Sequence, residues 1–463
     1  MNNGVNKIEK AITGIMKTLI TLVFSGTLFF VWITRYNQYI PTPFYRLGNY
    51  LLGVVIFVVY FTFTKLYGGF SIGSASLVDI IYSQVISIIF LMGVCYVLFS
   101  LLSYRLLNVI PFIAIALAFS VFAALWSFVT NELYYMVHAT KKTIVVFNNY
   151  DSYLSLKGVR SMEKRYNVVK TVNSQSITLE ELFEEMKDLD AVFLCGVPSD
   201  YRNEVVKHCI ATGKVAYVKP KISDAILRGG KTIQLLNVPV YRCKRSNASI
   251  SYTVMKRAFD ILVALVGIIV TSPVMAVTAI AIKAYDKGPV IYKQQRLTKN
   301  GKVFNVYKFR SMITNAEKDG VARLAQEDDD RITPVGKIIR KVRIDELPQL
   351  FNILFGDMAV VGPRPERPEI AKQYEEEMPE FALRLQVKAG LTGYAQVYGK
   401  YNTPPYDKVL MDLMYVANQS MLEDIRLILM TLKILLVPSS TQGVDSDQIT
   451  ASRKSETDST DSE

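Results

Sequence analysis

Four long apolar runs open the chain, at about residues 16–33, 49–66, 79–102 and 108–128, and almost no charge interrupts them. Roughly 20 residues carry a helix across a bilayer. The third and fourth runs exceed that, and the first two sit nearer the lower limit. Lys17 and Lys65 stand at run ends, where lysine can snorkel to the interface. Trp32, Tyr36 and Tyr39 suit an interfacial aromatic belt. The pattern predicts a four-helix transmembrane domain over residues 1–140. No small-residue cleavage pattern follows the first run, so it reads as a retained anchor rather than a cleaved signal. Four spans return the chain to its starting side. Lys7, Lys10, Lys17, Lys65, Lys141 and Lys142 then face one side, and Arg35, Arg46 and Arg105 the other, which favours a cytoplasmic N-terminus and bulk.

From about residue 143 the period shortens. TIVVFN, YNVVKTV, DAVFLCG, KVAYVKP and TIQLLN read as short buried strands, separated by helical stretches such as LEELFEEMK and YRNEVVKHCI. Alternating strands and helices predict a parallel sheet, here a small Rossmann-like domain over 143–242. The turn after the first strand reads NNYDSY rather than GxGxxG, so the dinucleotide fingerprint is absent. A structural or regulatory module and a small-ligand sensor both stay open.

A basic linker, 243–257, leads into ILVALVGIIVTSPVMAVTAIAIKA, 261–284. The length suits a fifth crossing. Ser272 and Pro273 interrupt its middle, and proline removes a backbone bond there. Basic residues flank both ends, so both ends prefer the cytoplasm. A broken, re-entrant helix satisfies both observations. Beyond it, residues 288–400 form a basic, motif-dense stretch that begins with a hairpin around Asn300-Gly301. A helix over about 369–386 follows, and MLEDIRLILMTLKILLV, 421–437, reads as an interface-lying or membrane-packed helix. The Ser/Thr/Asp-rich tail 439–463 reads as disordered.

Composition adds three constraints. Net charge is +12, although the tail holds six acids against two bases. A basic membrane protein suits anionic headgroups and phosphorylated substrates, while no nucleic-acid motif is present. Four scattered cysteines without a CxxC pair, and only two histidines, argue against a disulfide framework, a zinc site or a histidine triad. The acidic run Asp328-Asp329-Asp330 has no glycosyltransferase-type surroundings and reads as solvated.

Candidate chemistry concentrates in RKVRIDELPQLFNILFGDMAVVGPRPER, 340–367. Asp345 and Glu346 lie among Arg340, Arg343, Arg364 and Arg367. Pro348 predicts that Asp345 sits at or near the N-cap of a helix through LPQLFNILF. A carboxylate there could attack phosphorus or help a metal hold a phosphate. Equally, it could be a capping Asp with surface salt bridges. Lys308 and Arg310 in YKFRSM are candidates for phosphate contact or for a structural role.

The stretch from Lys256 to about Val437 resembles the bacterial sugar transferase family, the monotopic polyprenyl-phosphate glycosyl-1-phosphate transferases. The matching pieces are KRAFDILVALVGIIVTSPVMAV, GPVIYKQQR, YKFRSM, DDRITPVGKIIRKVRIDELPQLFNIL, GDMAVVGPRPE and KAGLTGYAQVYG, in the family's order. KAGLTGYAQV departs mildly from the family's usual KPG and tryptophan. The layout resembles the long subgroup: a transmembrane bundle, a Rossmann-like middle domain, and a mainly α, monotopic catalytic domain over 258–438 with a re-entrant helix. The resemblance implies transfer of a sugar 1-phosphate from a UDP-sugar to undecaprenyl phosphate. UMP is released, and exopolysaccharide, capsule or O-antigen synthesis begins. It implies Mg²⁺, with Asp345 as nucleophile and Glu346, beside Asp345, as the metal's carboxylate. It implies that Arg340 meets a phosphate, that Pro363, Arg364 and Pro365 form a nucleotide-binding motif, and that Ser272 and Pro273 break the helix. The expected site is the cytoplasmic face of a bacterial inner membrane, with membrane lipid as a partner and no nucleic acid. Homo-oligomerisation and the choice between glucose, galactose or another sugar stay open. A non-catalytic, membrane-tethered regulator of polysaccharide assembly is the alternative, and the intact acidic pair weighs against it.

Overall fold

The computed structural model describes residues 2–435 apart from 139, 149–164, 236–237, 246–247, 315–330 and 400–402, with residues 2–12 as backbone. The acidic run at Asp328–Asp330 and the tail 439–463 lie outside the described residues. The chain divides into two compact units, Met1–Pro220 and Lys221–Glu463.

In the first unit the apolar runs are the helices α1 (Asn2–Val31), α2 (Leu47–Tyr67), α3 (Leu77–Leu102) and α4 (Ile110–Val137). With the long helix of the second unit, five helices are long and apolar enough to cross a membrane. Their inward faces are aromatic: Phe24 stacks on Phe119, and Trp32 packs against Phe99. Their outward faces are apolar too. Ile113, Leu117, Val121 and Leu125 recur every fourth residue along α4 and are all exposed, as a lipid-facing stripe requires. The buried Gln84 is paired inside the helices: it accepts from Tyr60 at 2.6 Å and donates to Gly69 O at 2.9 Å.

Strands β1 (Lys141–Phe147), β2 (Tyr166–Asn173), β3 (Ala191–Cys195) and β4 (Val215–Val218) form a parallel sheet in the order β2-β1-β3-β4. Ile144, Val146, Val192 and Leu194 meet α5 (Leu179–Glu185) and α6 (Ser199–Thr212), which bring Leu182, Val205 and Cys209. On the other face Val145 and Phe193 join Tyr166 and Tyr217. That alternation is the period-two signature of strands. TIQLLN does not extend this sheet. Its strand β5 (Lys231–Leu235) pairs antiparallel with β6 (Val238–Arg242) in a separate, largely exposed hairpin of the second unit.

The second unit begins with α7 (Ile222–Arg228). The long helix α8 (Ile250–Asp286) starts inside the expected linker, where Ser249 caps it by accepting from Tyr252 N. It runs on through Pro273 rather than stopping there. Proline has no N–H for the carbonyl four residues back, Ile269 O, and the Ser272 hydroxyl donates to that oxygen at 2.9 Å. The two halves of α8 pack on different parts of the unit. Ala264 joins Leu350, Ile353 and Val360, whereas Met275, Ala279 and Ile282 meet Phe309 and Ile339. Along the same helix Ile269, Val270, Val277 and Ile280 are exposed.

Next come β7 (Ile291–Leu297) and β8 (Val303–Phe309), the antiparallel pair expected around Asn300-Gly301. Both turn residues have positive φ, 60° and 74°, which suits Asn-Gly. Helix α9 (Pro334–Lys341) leads to the acidic pair, followed by α10 (Gln349–Phe355), β9 (Ala359–Val361) and α11 (Pro368–Glu377). A 3₁₀ segment, Pro379–Gln386, replaces the second half of the helix expected over 369–386. Strand β10 (Gly390–Thr392) pairs parallel with β9. Helices α12 (Tyr394–Tyr398), α13 (Pro405–Ala417) and α14 (Met421–Leu435) close the unit. Asp424 of α14 points inward and is fully buried, where it accepts from Tyr252, Tyr415 and Lys256 at 2.9, 2.7 and 3.0 Å.

Candidate active site

The acidic pair sits between two short helices that both touch α8. Thr333 caps α9 by accepting from Gly336 N at 2.9 Å. The chain then reverses at Arg343, whose φ of 56° is left-handed, and turns once as a 3₁₀ segment, Ile344–Glu346. The N-cap of α10 is Pro348, three residues beyond Asp345. Asp345 is therefore near the N-cap, as one half of the sequence expectation had it, but it is part of a tight turn and does not itself cap the helix. The inserted turn explains the offset: proline correctly marked a helix start, but Arg343 bends the chain just before it.

Asn352 locks α10 to the hairpin. Fully buried, it donates to Asn305 O at 2.8 Å and accepts from Tyr307 N at 2.9 Å. That register delivers Lys308 to the turn, with Nζ 3.0 Å from Glu346 Oε1. Arg364 reaches the same oxygen at 3.3 Å, and Arg343 stands 3.8 Å from Oε2. Burial by itself would raise the Glu346 carboxyl. Lys308, Arg364 and Arg343 override it and hold the group well below the usual carboxylate range.

Asp345 is treated differently. Among the described residues its carboxylate makes no hydrogen bond or ion pair. Burial raises it above the usual value and Glu346 adds to the rise, while Lys308, Arg340 and Arg364 oppose. The pair is thus asymmetric: one carboxylate neutralised by three cations, the other unpartnered beside it. Unpartnered and flanked by positive charge, such a carboxylate can serve as a nucleophile toward an anionic phosphorus centre. The surrounding cations can offset charge on phosphate oxygens.

Of the other candidates, Arg364, Lys308 and Arg340 face the pair, and Pro363 and Pro365 hold the segment that carries Arg364. Arg310 is elsewhere. Its guanidinium is buried and bonded to both oxygens of Asp286 and to Pro289 O, so it ties the end of α8 to the hairpin. The geometry gives Arg310 an architectural role rather than phosphate contact. Ser272 and Pro273 lie in α8, also away from the pair. Sequence reasoning missed Asn352, Arg296, Arg384 and Asp412. Each acts through partners distant along the chain, and no local pattern marks them.

No group of three or more His, Cys, Asp or Glu side chains gathers among the described residues. Two adjacent carboxylates suit a magnesium ion that completes its shell with phosphate oxygens and water. Glu346 Oε2, with Arg343 only at 3.8 Å, keeps room for such a ligand.

Comparison with known proteins adds the lineage. The bacterial sugar transferase family model matches residues 251–438. A UDP-N-acetylgalactosamine-undecaprenyl-phosphate N-acetylgalactosaminephosphotransferase of Aeromonas hydrophila is 43% identical over 40% of this chain and 44% of its own length. A putative undecaprenyl-phosphate N-acetylgalactosaminyl 1-phosphate transferase of Bacillus subtilis is 49% identical over 30% of this chain and 78% of its own. A galactosyl transferase of Streptococcus agalactiae is 32% identical over 63% of this chain and 68% of its own. The chain spans about half the length of several curated relatives it matches. By its match to the family model and by these relatives, the chain belongs to the bacterial sugar transferase family.

Proposed function

We propose that the protein transfers a sugar 1-phosphate from a UDP-sugar to undecaprenyl phosphate and releases UMP. The observation that carries this reading is the asymmetric pair, with Glu346 flanked by three cations and Asp345 without a partner among the described residues. The Asp345 carboxylate attacks the phosphorus that bears the sugar. A phosphorus–oxygen bond forms, the pyrophosphate linkage breaks, and UMP leaves with the electron pair. A phosphate oxygen of undecaprenyl phosphate then attacks the same phosphorus. The Asp345 carboxylate departs, and a polyprenyl diphosphate sugar results. Splitting one displacement between two anions into two steps is what a carboxylate nucleophile offers. Lys308, Arg340 and Arg364 orient and neutralise the phosphates. Glu346, with Asp345 beside it, would hold Mg²⁺, which supplies further charge neutralisation when bound. The relatives' names supply the lipid acceptor and a hexose or N-acetylhexosamine donor.

The reading places the site on the cytoplasmic face of a bacterial inner membrane, where initiation of a surface polysaccharide would occur. Residues 1–140 would form the membrane bundle, the parallel sheet a Rossmann-like domain, and residues 258–438 the catalytic domain. Helix α8 would dip into the lipid and return, bending at Pro273. Two contacts support this. Near its start Arg257 donates to Ile353 O and Leu354 O, and at its end Asp286 pairs with Arg310, so both ends are tied to one unit. The exposed apolar residues between those anchors would meet the acyl chains. Cysteine labelling at positions 258 and 287 tests the bend: both should react from the cytoplasmic side, and opposite sides would mean a true crossing.

The transfer itself is tested with purified full chain, undecaprenyl phosphate, Mg²⁺ and a set of UDP-sugars. UMP should be released over many turnovers only when all are present, and without undecaprenyl phosphate release should stop at one UMP per chain. Asp345→Asn should abolish turnover while folding and membrane insertion persist. Full activity in that variant would remove the nucleophile assignment.

A further inference from the structure

Pro363, Arg364, Pro365 and Glu366 form an extended segment without regular secondary structure. Two of its residues are prolines and have no N–H to donate. Its four consecutive carbonyls are nevertheless all bonded. Pro363 O accepts from Gly390 N at 2.9 Å and Glu366 O from Leu297 N at 2.9 Å. The two in the middle take side-chain donors. Arg364 O accepts from Arg384 Nη2 at 2.8 Å, and Pro365 O from Arg296 Nη1 at 3.2 Å.

Two arginines spent on backbone carbonyls are costly, because a buried guanidinium needs a partner. Each has one. Arg384 is 7% exposed and stands 2.7 Å from the carboxylate of Asp412, itself 1% exposed. Arg296 is 3.1 Å from Glu366 and also donates to Gln294 Oε1 at 2.7 Å. Both charges are balanced within the clamp, so these arginines contribute geometry at the segment rather than free positive charge. Arg364 itself is half-exposed and reaches from the clamped segment to Glu346.

We propose that Arg384 and Arg296 are positioning residues for the donor nucleotide: they fix the carbonyls on either side of the Arg364–Pro365 bond and so aim the Arg364 guanidinium at the UDP-sugar. This rests on the transfer reading given above. In each arginine one terminal nitrogen serves both the carbonyl and the carboxylate, Nη2 of Arg384 and Nη1 of Arg296. Lysine keeps the charge, but its ammonium sits on a shorter, flexible stem without the rigid guanidinium plane that fixes that nitrogen. Arg384→Lys should therefore keep the charge beside Asp412 and loosen the hold on Arg364 O.

The experiment measures equilibrium binding of UMP to the detergent-solubilised full chain by calorimetry, alongside UMP release with UDP-glucose, UDP-galactose and UDP-N-acetylgalactosamine. The proteins are wild type, Arg384→Lys, Arg296→Lys, Arg364→Ala and each double variant with Arg364→Ala, all with melting temperatures recorded. Each lysine variant should weaken UMP binding about tenfold, the scale of one charge-assisted hydrogen bond. KM for the UDP-sugar should rise with it, and KM for undecaprenyl phosphate should not move. In the Arg364→Ala background the lysine variants should add almost nothing, because they act through Arg364. If Arg384→Lys does not fold, Arg296→Lys carries the same test. Unchanged UMP binding, or full additivity with Arg364→Ala, overturns the proposal. Weakened, non-additive UMP binding without turnover on any UDP-sugar would leave the clamp standing and sink the transfer reading instead. Wild type that neither binds UMP nor turns over would remove both.

Discussion

Lys308 Nζ lies 3.0 Å from Glu346 Oε1, and this contact joins the second hairpin strand to the turn that carries the acidic pair. The link gives Lys308 a definite place. It neutralises one carboxylate and leaves its neighbour, Asp345, without a partner among the described residues. Lys308→Met should remove the contact at little cost in volume. Loss of one charge-assisted hydrogen bond in a partly buried site costs about 10- to 100-fold in rate. A UMP-release assay reads this directly, and a variant at wild-type kcat/KM would show that Lys308 is only structural.

The same contact bears on pH. Burial raises the Asp345 carboxyl, and Lys308 is the strongest opposing charge. A protonated carboxyl cannot attack, so turnover should fall in acid with a midpoint above the ordinary aspartate value of about 3.9. Glu346 stays ionised through that range. In Lys308→Met the midpoint should move further up, because a charge that favours the ionised form is gone. A pH–rate profile that is flat down to the ordinary aspartate range would contradict the assignment.

Asp424 carries no chemistry in this account, yet its loss should be severe. It is fully buried and holds Lys256 of α8 together with two tyrosine hydroxyls. Truncating it leaves the Lys256 ammonium with only the Asp260 carboxylate, 3.8 Å away, and the Tyr252 hydroxyl without its acceptor, which costs about 3–5 kcal/mol. Asp424→Ala should lower the melting temperature of the purified protein and its folded yield. A melting curve superimposable on wild type would mean that Asp260 or water compensates Lys256.

Gly336 offers a steric test. A Cβ built there would lie 1.9 Å from Ser311 O. Gly336→Ala should force α9 away from the end of the hairpin, at about 1–3 kcal/mol, and shift Arg340 with it. Both melting temperature and UMP release should fall. Wild-type values for both would mean that the close approach relaxes freely.

What the chain disclosed beforehand follows the range of each interaction. The long apolar helices of the first unit were legible because bilayer thickness sets a length that composition alone can meet. The parallel strands were legible from their period. TIQLLN misled because a short apolar run reads alike as a buried strand and as one arm of an exposed hairpin. The acidic pair was visible as residue types. Its asymmetry was not, since Lys308 and Arg364 come from the hairpin and from beyond β9. Arg310 shows the converse. A basic residue in a promising motif was committed to Asp286, 24 positions earlier in the chain. The partners of Arg384 and Asp424 are likewise long-range and leave no local trace.

The bond formed at Asp345 is the central step of the proposed transfer. The direct measurement is intact-protein and peptide mass spectrometry after incubation with a UDP-sugar and Mg²⁺ in the absence of lipid acceptor. A single phosphosugar adduct is expected on the peptide containing Asp345, lost on adding undecaprenyl phosphate and absent from Asp345→Asn. An adduct on any other residue, or turnover by Asp345→Asn at the wild-type rate, would contradict it.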